Sequence, residues 1–207
     1  MKKLYFESTV HKQRFILGVI CGLLPILCTV FGLASCTWGG NSWEVINSIS
    51  ETYYSNHNSI MLIALGLCTF FLFTYEGYDL GDRVLTCVAG AGSLGVALFP
   101  CESVVASTNV GLFSLPLAFS NVLHFISAGA VFGGFALMTL TQFTKGNDVI
   151  RNRVYKVCGI LMTAALVFVP IRSILHWPEW LMMILEFIML ESFSIAWIVK
   201  SKVTKRN

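Results

Sequence analysis

Long runs of uncharged, apolar residues constrain this chain more than any other feature of its sequence. The first run, 15–35, contains no charged side chain and is long enough to cross a bilayer core of ~30 Å as a helix. Charged residues make up only 12% of the 207 residues, whereas soluble domains are about one-quarter charged. A soluble fold could not cover its surface with so few charges, so we predict an integral membrane protein.

The whole chain, residues 1–207, is predicted to form a single all-α domain, a polytopic six-helix transmembrane bundle. The predicted helices are 15–35, 59–75, 84–99, 117–143, 157–171 and 180–199. The third contains Gly90, Gly92 and Gly95, and small residues allow the backbones of membrane helices to approach one another. We therefore expect this helix to pack closely against a neighbour.

The positions of Lys and Arg predict how the helices are threaded. All 14 of these residues except Arg172 lie in the N-terminal segment, the 76–83 turn, the 145–156 loop or the C-terminal segment. Short loops rich in Lys and Arg stay in the cytoplasm. We therefore expect both termini to be cytoplasmic in a multi-pass protein of the bacterial inner (plasma) membrane.

Three ionisable side chains within the predicted helices mark a candidate site: His124 in the fourth, and Glu186 and Glu191 in the sixth. Ionisable groups in hydrocarbon are costly, so they indicate a functional site by default. At 1.5 Å per residue, His124 and Glu186 both lie roughly 10 Å below the outer surface. We predict a polar pocket that opens to the outer leaflet and is bounded by helices three to six.

Arg172, at the outer end of the fifth helix, is the expected cationic group of this pocket. The predicted ligand-binding residues are His124, Glu186, Arg172, Glu191 and Asn121. A structural role stays open, because buried His–Glu contacts can simply join helices. Glu191 also has Ser194 one helical turn away, which could satisfy its carboxyl locally.

Catalysis by this site also stays open. Ser120 lies four residues before His124, so the two share a helix face and place a hydroxyl beside a base. The candidate catalytic residues are His124, Glu186 and Ser120. A metal would need about three ligands, for which His124, His176 and Glu186 are candidates. No His-x-x-x-His pair occurs, so we expect no cofactor and keep zinc as the alternative.

The seven cysteines contain no Cys-x-x-Cys pair, and most lie in apolar runs, where cysteine behaves as a small hydrophobe. Cys36 and Cys101 fall on the predicted outer side, where a disulfide is permitted. Residues 33–36 also match the site at which bacterial lipoproteins are cleaved and lipidated. The first apolar run is longer than the 7–15 residues of a signal-peptide core, which favours an uncleaved helix.

Several short motifs resemble an uncharacterised family of small bacterial multi-pass membrane proteins, a domain of unknown function. The motifs are Tyr78-Asp79, Ala97-Leu-Phe-Pro100, His124-Phe-Ile-Ser-Ala128, Arg151-Asn-Arg-Val-Tyr155, and Glu191 to Ser194 with Trp197 and Lys200. The resemblance covers roughly residues 75–200. It implies a six-helix bundle and no assigned activity.

Ser120-x-x-x-His124 is distantly similar to the Ser/His helix motif of the alkaline ceramidase and adiponectin receptor-like membrane hydrolases. That similarity implies a zinc-dependent hydrolase. This chain differs from the group in having six predicted helices rather than seven, and in lacking paired histidines in its last helix.

We expect the protein to bind or handle a lipid-like or small amphiphilic ligand. The alternatives are an intramembrane hydrolase, with or without a metal, and a small proton-coupled transporter that uses Glu191 and His124 as relay groups. Membrane lipids are the expected partners, and a homo-oligomer is compatible with the sequence. Nucleic-acid binding is not expected, because the threading already explains the basic loops.

Overall fold

The computed structural model describes residues 2–38, 47–103 and 108–202, with side chains described over 9–31, 47–103 and 108–202. Its helices are α1 (Lys2–Trp38), α2 (Asn58–Phe73), α3 (Leu80–Leu98), α4 (Leu117–Leu137), α5 (Val149–Ile174) and α6 (Leu181–Ser201). A 3-10 turn (Ser50–Tyr54) precedes α2, and a π-helical turn (Met138–Gln142) and a 3-10 turn (Phe143–Lys145) follow α4. Two short antiparallel strands, β1 (Asn109–Val110) and β2 (Leu115–Pro116), precede α4.

The helices form a ring in chain order, because each packs against its neighbours in sequence and α1 packs against α6. α1 and α6 are antiparallel: Gly18 faces Ile198, and Gly22, further along α1, faces Ser194. In the centre, Phe135 of α4 stacks on Phe193 of α6 with ring centroids 3.5 Å apart. The stacked rings fill the middle of the bundle with apolar surface.

The two ends of the bundle differ in charge. The basic end contains the start of α1, the α2–α3 turn, the α4–α5 turn and the last turn of α6. These segments are joined by the contacts Arg14–Tyr75, Lys145–Asp79 and Lys200–Phe143. The opposite end, here called the loop end, contains the 50–54 turn, the α3–α4 connection and the α5–α6 turn. Of the Lys and Arg side chains that the structure describes, only Arg172 lies at the loop end.

Apolar side chains cover the outside of the bundle and polar ones lie inside. Phe70 is 61% exposed and Ile160 is 60% exposed, whereas His124 and Glu186 are buried. Soluble proteins show the reverse tendency. The helical segments long and apolar enough to cross a membrane are Thr9–Phe31, Leu117–Lys145, Val149–Ile174 and Leu181–Ser201. The all-helical fold is confirmed, and these four segments support a transmembrane protein.

α2 and α3 are less suited to span a membrane alone. α2 has 16 residues and is about 24 Å long at 1.5 Å per residue. α3 has 19 residues, but it begins with Asp82 and Arg83 in its first turns and contains several glycines. Both helices pack within the ring, α2 against α1 and α3, and α3 against α2 and α4.

The largest differences from the predicted bounds occur where α1 and α5 begin. They begin at Lys2 and Val149, whereas the apolar runs predict residues 15 and 157. The residues before the first of these apolar runs include Lys, Arg, Glu and Gln, and those before the other include Arg and Lys. All of these residue types favour the helical conformation as strongly as most apolar residues do. Hydropathy therefore locates the apolar part of such a helix and not its first turn.

The expected close contact of the glycine-rich third helix is present, and its partner is α4. A Cβ at Gly92 would lie 2.6 Å from the Ser127 carbonyl oxygen, and one at Gly95 would overlap the Ser127 hydroxyl. Gly134 of α4 faces Ala89 of α3 in the same way. This approach brings Phe99, directly after α3, close to His124 in α4.

Candidate functional site

His124 is held at the loop end by groups outside its own helix. Its Nδ1 lies 2.8 Å from the carbonyl oxygen of Phe99, and its Nε2 lies 3.1 Å from the hydroxyl of Ser50. The side chain is only 4% exposed. Because a carbonyl oxygen can only accept, Nδ1 carries a proton and donates it to Phe99.

Glu186 of α6 lies on the other side of Ser50. The Ser50 hydroxyl is 3.3 Å from Oε1, and the backbone N–H of Ile49 donates to Oε2 at 2.5 Å. Glu186 is also 4% exposed. His124, Ser50 and Glu186 thus form a continuous buried series of hydrogen bonds, here called the His–Ser–Glu chain.

Two proton arrangements satisfy every contact in the His–Ser–Glu chain. If His124 is neutral, the Ser50 hydroxyl donates to Nε2, and a protonated Glu186 donates to Ser50. If His124 is cationic, Nε2 donates to Ser50, which donates to an ionised Glu186. Both arrangements contain the same number of protons, so a shift of two protons through Ser50 interconverts them. A neutral imidazole beside an ionised carboxylate would leave two acceptors competing for one hydroxyl proton.

No sequence pattern singles out Ser50. It lies in a polar loop where serine is common, 74 positions from His124 and 136 from Glu186. Only the folding of residues 47–54 over the end of the bundle places its hydroxyl between the two side chains. His124 and Glu186 stand out in the sequence because they interrupt apolar runs, and the structure brings both to one site.

Ser120 and Asn121 bind the α3–α4 connection. The Ser120 hydroxyl donates to the Pro100 carbonyl at 2.8 Å. The Asn121 side-chain oxygen accepts from the Glu102 backbone N–H at 2.9 Å, and its Nδ2 donates to the Glu102 carboxyl at 3.4 Å. These two residues fix the segment beside His124 and are not members of the His–Ser–Glu chain.

Arg172 and His176 lie at the α5–α6 turn. Arg172 Nε donates to the Pro178 carbonyl at 3.2 Å, and His176 Nδ1 lies 3.1 Å from the Ile174 carbonyl. His176 is exposed and has a positive φ of 52°. Neither side chain contributes a hydrogen bond to the His–Ser–Glu chain.

Glu191 lies deeper in α6, toward α1. Its Oε1 is buried and has no hydrogen-bond partner in the described part of the chain, and its Oε2 lies 3.6 Å from where a Cβ on Gly22 would be. Ser194 packs against the same glycine. The structure therefore places Glu191 apart from His124 and Glu186.

Two of the three candidate metal ligands, His124 and Glu186, are already bonded to the protein. Both ring nitrogens of His124 and both oxygens of Glu186 have partners. Within residues 2–38, 47–103 and 108–202, no group of three His, Cys, Asp or Glu side chains is arranged to hold an ion.

Cys101 is a buried free thiol, and burial raises its pKa to about 12. Cys36, the other cysteine of the disulfide that the sequence permits, has its side chain outside the described residues.

Residues 47–54, here called the closing segment, cover the His–Ser–Glu chain. Met183 N–H donates to the Asn47 carbonyl at 2.9 Å, Asn47 N–H donates to the Glu51 carboxyl at 2.8 Å, and Tyr54 donates to the Cys101 carbonyl at 2.7 Å. Burial raises the pKa of Glu51, partly opposed by the Asn47 hydrogen bond. Ile49 and Ser50 thus occupy the space where the sequence predicts an open pocket.

No family model, curated protein or solved structure matches this chain. The two resemblances given above therefore stay predictions. By its fold and site, the chain is a helical transmembrane protein with a buried acid–base chain at one end.

Proposed function

We propose that all six helices span the bacterial plasma membrane, with the basic end in the cytoplasm and the loop end outside. The distribution of Lys and Arg supports this orientation through the positive-inside rule. α2 and α3 span about 24 and 28 Å at 1.5 Å per residue, and their places in the ring shield much of their surface from lipid.

We further propose that the protein is a small proton-coupled carrier of an amphiphilic ligand, with the His–Ser–Glu chain as its proton site. The supporting observation is the buried series of hydrogen bonds through Ser50, which admits two interconvertible proton arrangements. An acid and a base that share a proton within a membrane are the components of a proton relay. The ligand would enter from the outer leaflet into the space that the closing segment fills.

The number of protons bound by the His–Ser–Glu chain affects the stability of the closing segment, because Ser50 belongs to both. Loss of the shared proton leaves Nε2 and Oε1 competing for one hydroxyl proton. Gain of a second proton makes both groups donors to Ser50, whose own proton then loses its acceptor. Either change removes a hydrogen bond, and an unmade buried hydrogen bond costs about 1–3 kcal/mol. The closed conformation is therefore favoured at one proton number, and proton gain or loss favours opening.

A vesicle experiment tests the carrier. Purified protein is reconstituted with a pH-sensitive dye inside the vesicles, and a panel of amphiphilic amines and quaternary ammonium dyes is added outside. We expect ligand-dependent proton movement that Glu186→Gln abolishes and that Ser50→Ala lowers at least tenfold. Glu102→Gln, an exposed glutamate at the same end, is the control and should keep the wild-type rate.

Infrared spectroscopy of the same variants tests the proton site without a ligand. We expect a carboxylic-acid band whose intensity changes with pH in the wild type and that is absent from Glu186→Gln. An unchanged band between acidic and basic conditions, together with no proton movement for any compound of the panel, would refute the proposal.

One observation favours a hydrolase as the second candidate. Ser50 Oγ lies 3.1 Å from His124 Nε2, and the Phe99 carbonyl orients the ring through Nδ1, which is the geometry of an activated nucleophile. A fluorophosphonate probe distinguishes this function. Labelling that Ser50→Ala removes and Ser120→Ala preserves would establish it, and an unlabelled wild type would exclude it.

A further inference from the structure

A groove between the start of α1 and the end of α6 lies at the basic end, far from the His–Ser–Glu chain. It is lined by His11, Lys12, Phe15, Ile16 and Ser201, and its volume is about 470 Å³. Phe15 is 50% exposed and Ile16 is 39% exposed, and Lys12 is exposed beside them. One groove therefore presents a cation next to apolar surface.

His11 gives this groove an unused polar group. Both of its ring nitrogens are buried, and neither has a hydrogen-bond partner in the described part of the chain. A buried polar atom without a partner is unfavourable, and the cost is relieved when a ligand supplies that partner. The ring as a whole is half-buried, so a turn of this side chain toward the groove would bring an imidazole N–H beside Lys12, and both groups would then donate to an anion.

The groove lies at the depth of lipid headgroups in the orientation proposed above. Phe15 is the first residue of the uncharged run, and His11 and Lys12 precede it by about one helical turn, roughly 5 Å. The polar part of the groove thus faces the headgroup layer, and its apolar part faces the acyl chains. Basic residues at this level attract anionic lipids.

We infer that this groove binds one anionic phospholipid. The headgroup phosphate contacts Lys12 and His11, and an acyl chain lies along Phe15 and Ile16. A charged donor at a phosphate gives a stronger hydrogen bond than a neutral pair does. The inference rests on the proposed membrane orientation, but it does not depend on proton exchange at the loop end.

Native mass spectrometry of detergent-solubilised protein tests the site. The protein is titrated with phosphatidylglycerol, with phosphatidylcholine of the same chain length, and with inorganic phosphate alone. We expect tighter binding of the anionic lipid, weakened about fivefold by Lys12→Gln and about threefold by His11→Phe. Arg83→Gln, an exposed cation at the same end outside the groove, is the matched control and should change binding less than twofold.

Each other outcome overturns the inference. Equal affinity for the two lipids would leave no role for the headgroup charge, and equal losses in Lys12→Gln and Arg83→Gln would indicate unspecific attraction to the basic end. Binding of phosphate alone at the same concentration would indicate a small-anion site. Circular dichroism and size-exclusion profiles establish whether each variant is folded. If Lys12→Gln does not fold, His11→Phe still tests the site.

Discussion

The loop end and the basic end both bury ionisable side chains, but they hold them differently. At the loop end, His124 and Glu186 are joined through Ser50 by hydrogen bonds with exchangeable protons. At the basic end, Arg14 is fully buried and Lys200 is 5% exposed. Each end therefore carries polar groups that a simple apolar core would not contain.

Aromatic rings and neutral oxygens contact the two cations of the basic end. Arg14 Nε donates to the Tyr75 hydroxyl at 2.8 Å, and its guanidinium lies 4.7 Å from the Tyr78 ring centroid. Lys200 Nζ donates to the Phe143 carbonyl at 3.1 Å and lies 5.2 Å from the centroid of the same residue's ring. These groups stabilise a fixed charge.

The difference shows that burial of a charged group does not by itself indicate a proton site. The guanidinium of Arg14 has only donors, so its hydrogen bonds to Tyr75 and Tyr78 join α1 to the α2–α3 turn in one arrangement. An imidazole and a carboxyl that share one proton through a hydroxyl have two arrangements. The basic end is therefore suited to rigidity, and the loop end to a change of state.

Removal of the Arg14 side chain should give the largest loss of stability. Arg14→Ala removes the hydrogen bond to Tyr75 and both ring contacts, which we expect to lower the free energy of unfolding by about 3 kcal/mol. Arg83→Ala, at an exposed position of the same end, should change it by less than about 0.5 kcal/mol. Unfolding in detergent measures both, and equal losses would contradict a rigid basic end.

Two glutamates of α6 provide the next comparison. Glu186→Ala leaves the buried Ile49 N–H without an acceptor and removes the hydrogen bond between Glu186 and Ser50, at a cost of about 2 kcal/mol. Hydrogen exchange of residues 48–54 should then accelerate about thirtyfold. Glu191→Ala removes a carboxyl whose Oε1 has no hydrogen-bond partner among the described residues, so we expect at most about 0.5 kcal/mol of loss. Fast exchange in both variants would show that the closing segment does not depend on Glu186.

The close contact of α3 with α4 should determine how Phe99 is positioned against His124 at the loop end. A Cβ at Gly92 would meet backbone of α4, so Gly92→Ala should destabilise by about 1–2 kcal/mol and displace Phe99 from His124. Gly129→Ala is the control, because no atom of the described residues outside its own stretch of helix lies within 4 Å of its added Cβ. The imidazole resonances of His124 in NMR spectra should shift only in Gly92→Ala, and an unshifted spectrum would refute the coupling.

The smallest expected effect concerns pH and the closing segment. Burial holds the pKa of Glu51 above its unfolded value, so the folded state binds this proton more tightly. Stability therefore falls as the pH rises from the ordinary carboxyl range through the raised pKa. Glu51→Gln removes this fall and retains an acceptor for the Asn47 N–H.

Glu51→Gln should match the wild type in acid and exceed it above neutral pH by less than about 1 kcal/mol, because the carboxyl is partly exposed. Thermal unfolding over a pH series measures the difference. If stability falls with pH as steeply in Glu51→Gln as in the wild type, the pH dependence belongs to other groups.

Much of the fold was predictable because helices in membranes form locally. A spanning helix satisfies its own backbone, so a long apolar run such as 117–143 predicts α4 from a short stretch of sequence. His124 and Glu186 were predictable as candidate site residues for the same reason, because each interrupts such a run. Arg14 was not, because it follows Lys12 in a segment that reads as a solvated basic terminus.

The sequence by itself determined an all-helical membrane protein, the number of apolar runs and the concentration of positive charge at one end. Only the tertiary structure decided that Ser50 joins His124 to Glu186, that Arg14 turns inward, and that the closing segment fills the predicted pocket. The physical reason is the range of the interactions. Hydropathy and helical backbone bonding act over one or a few turns, whereas a hydrogen bond between residues 74 or 136 positions apart exists only after the ring of helices has closed.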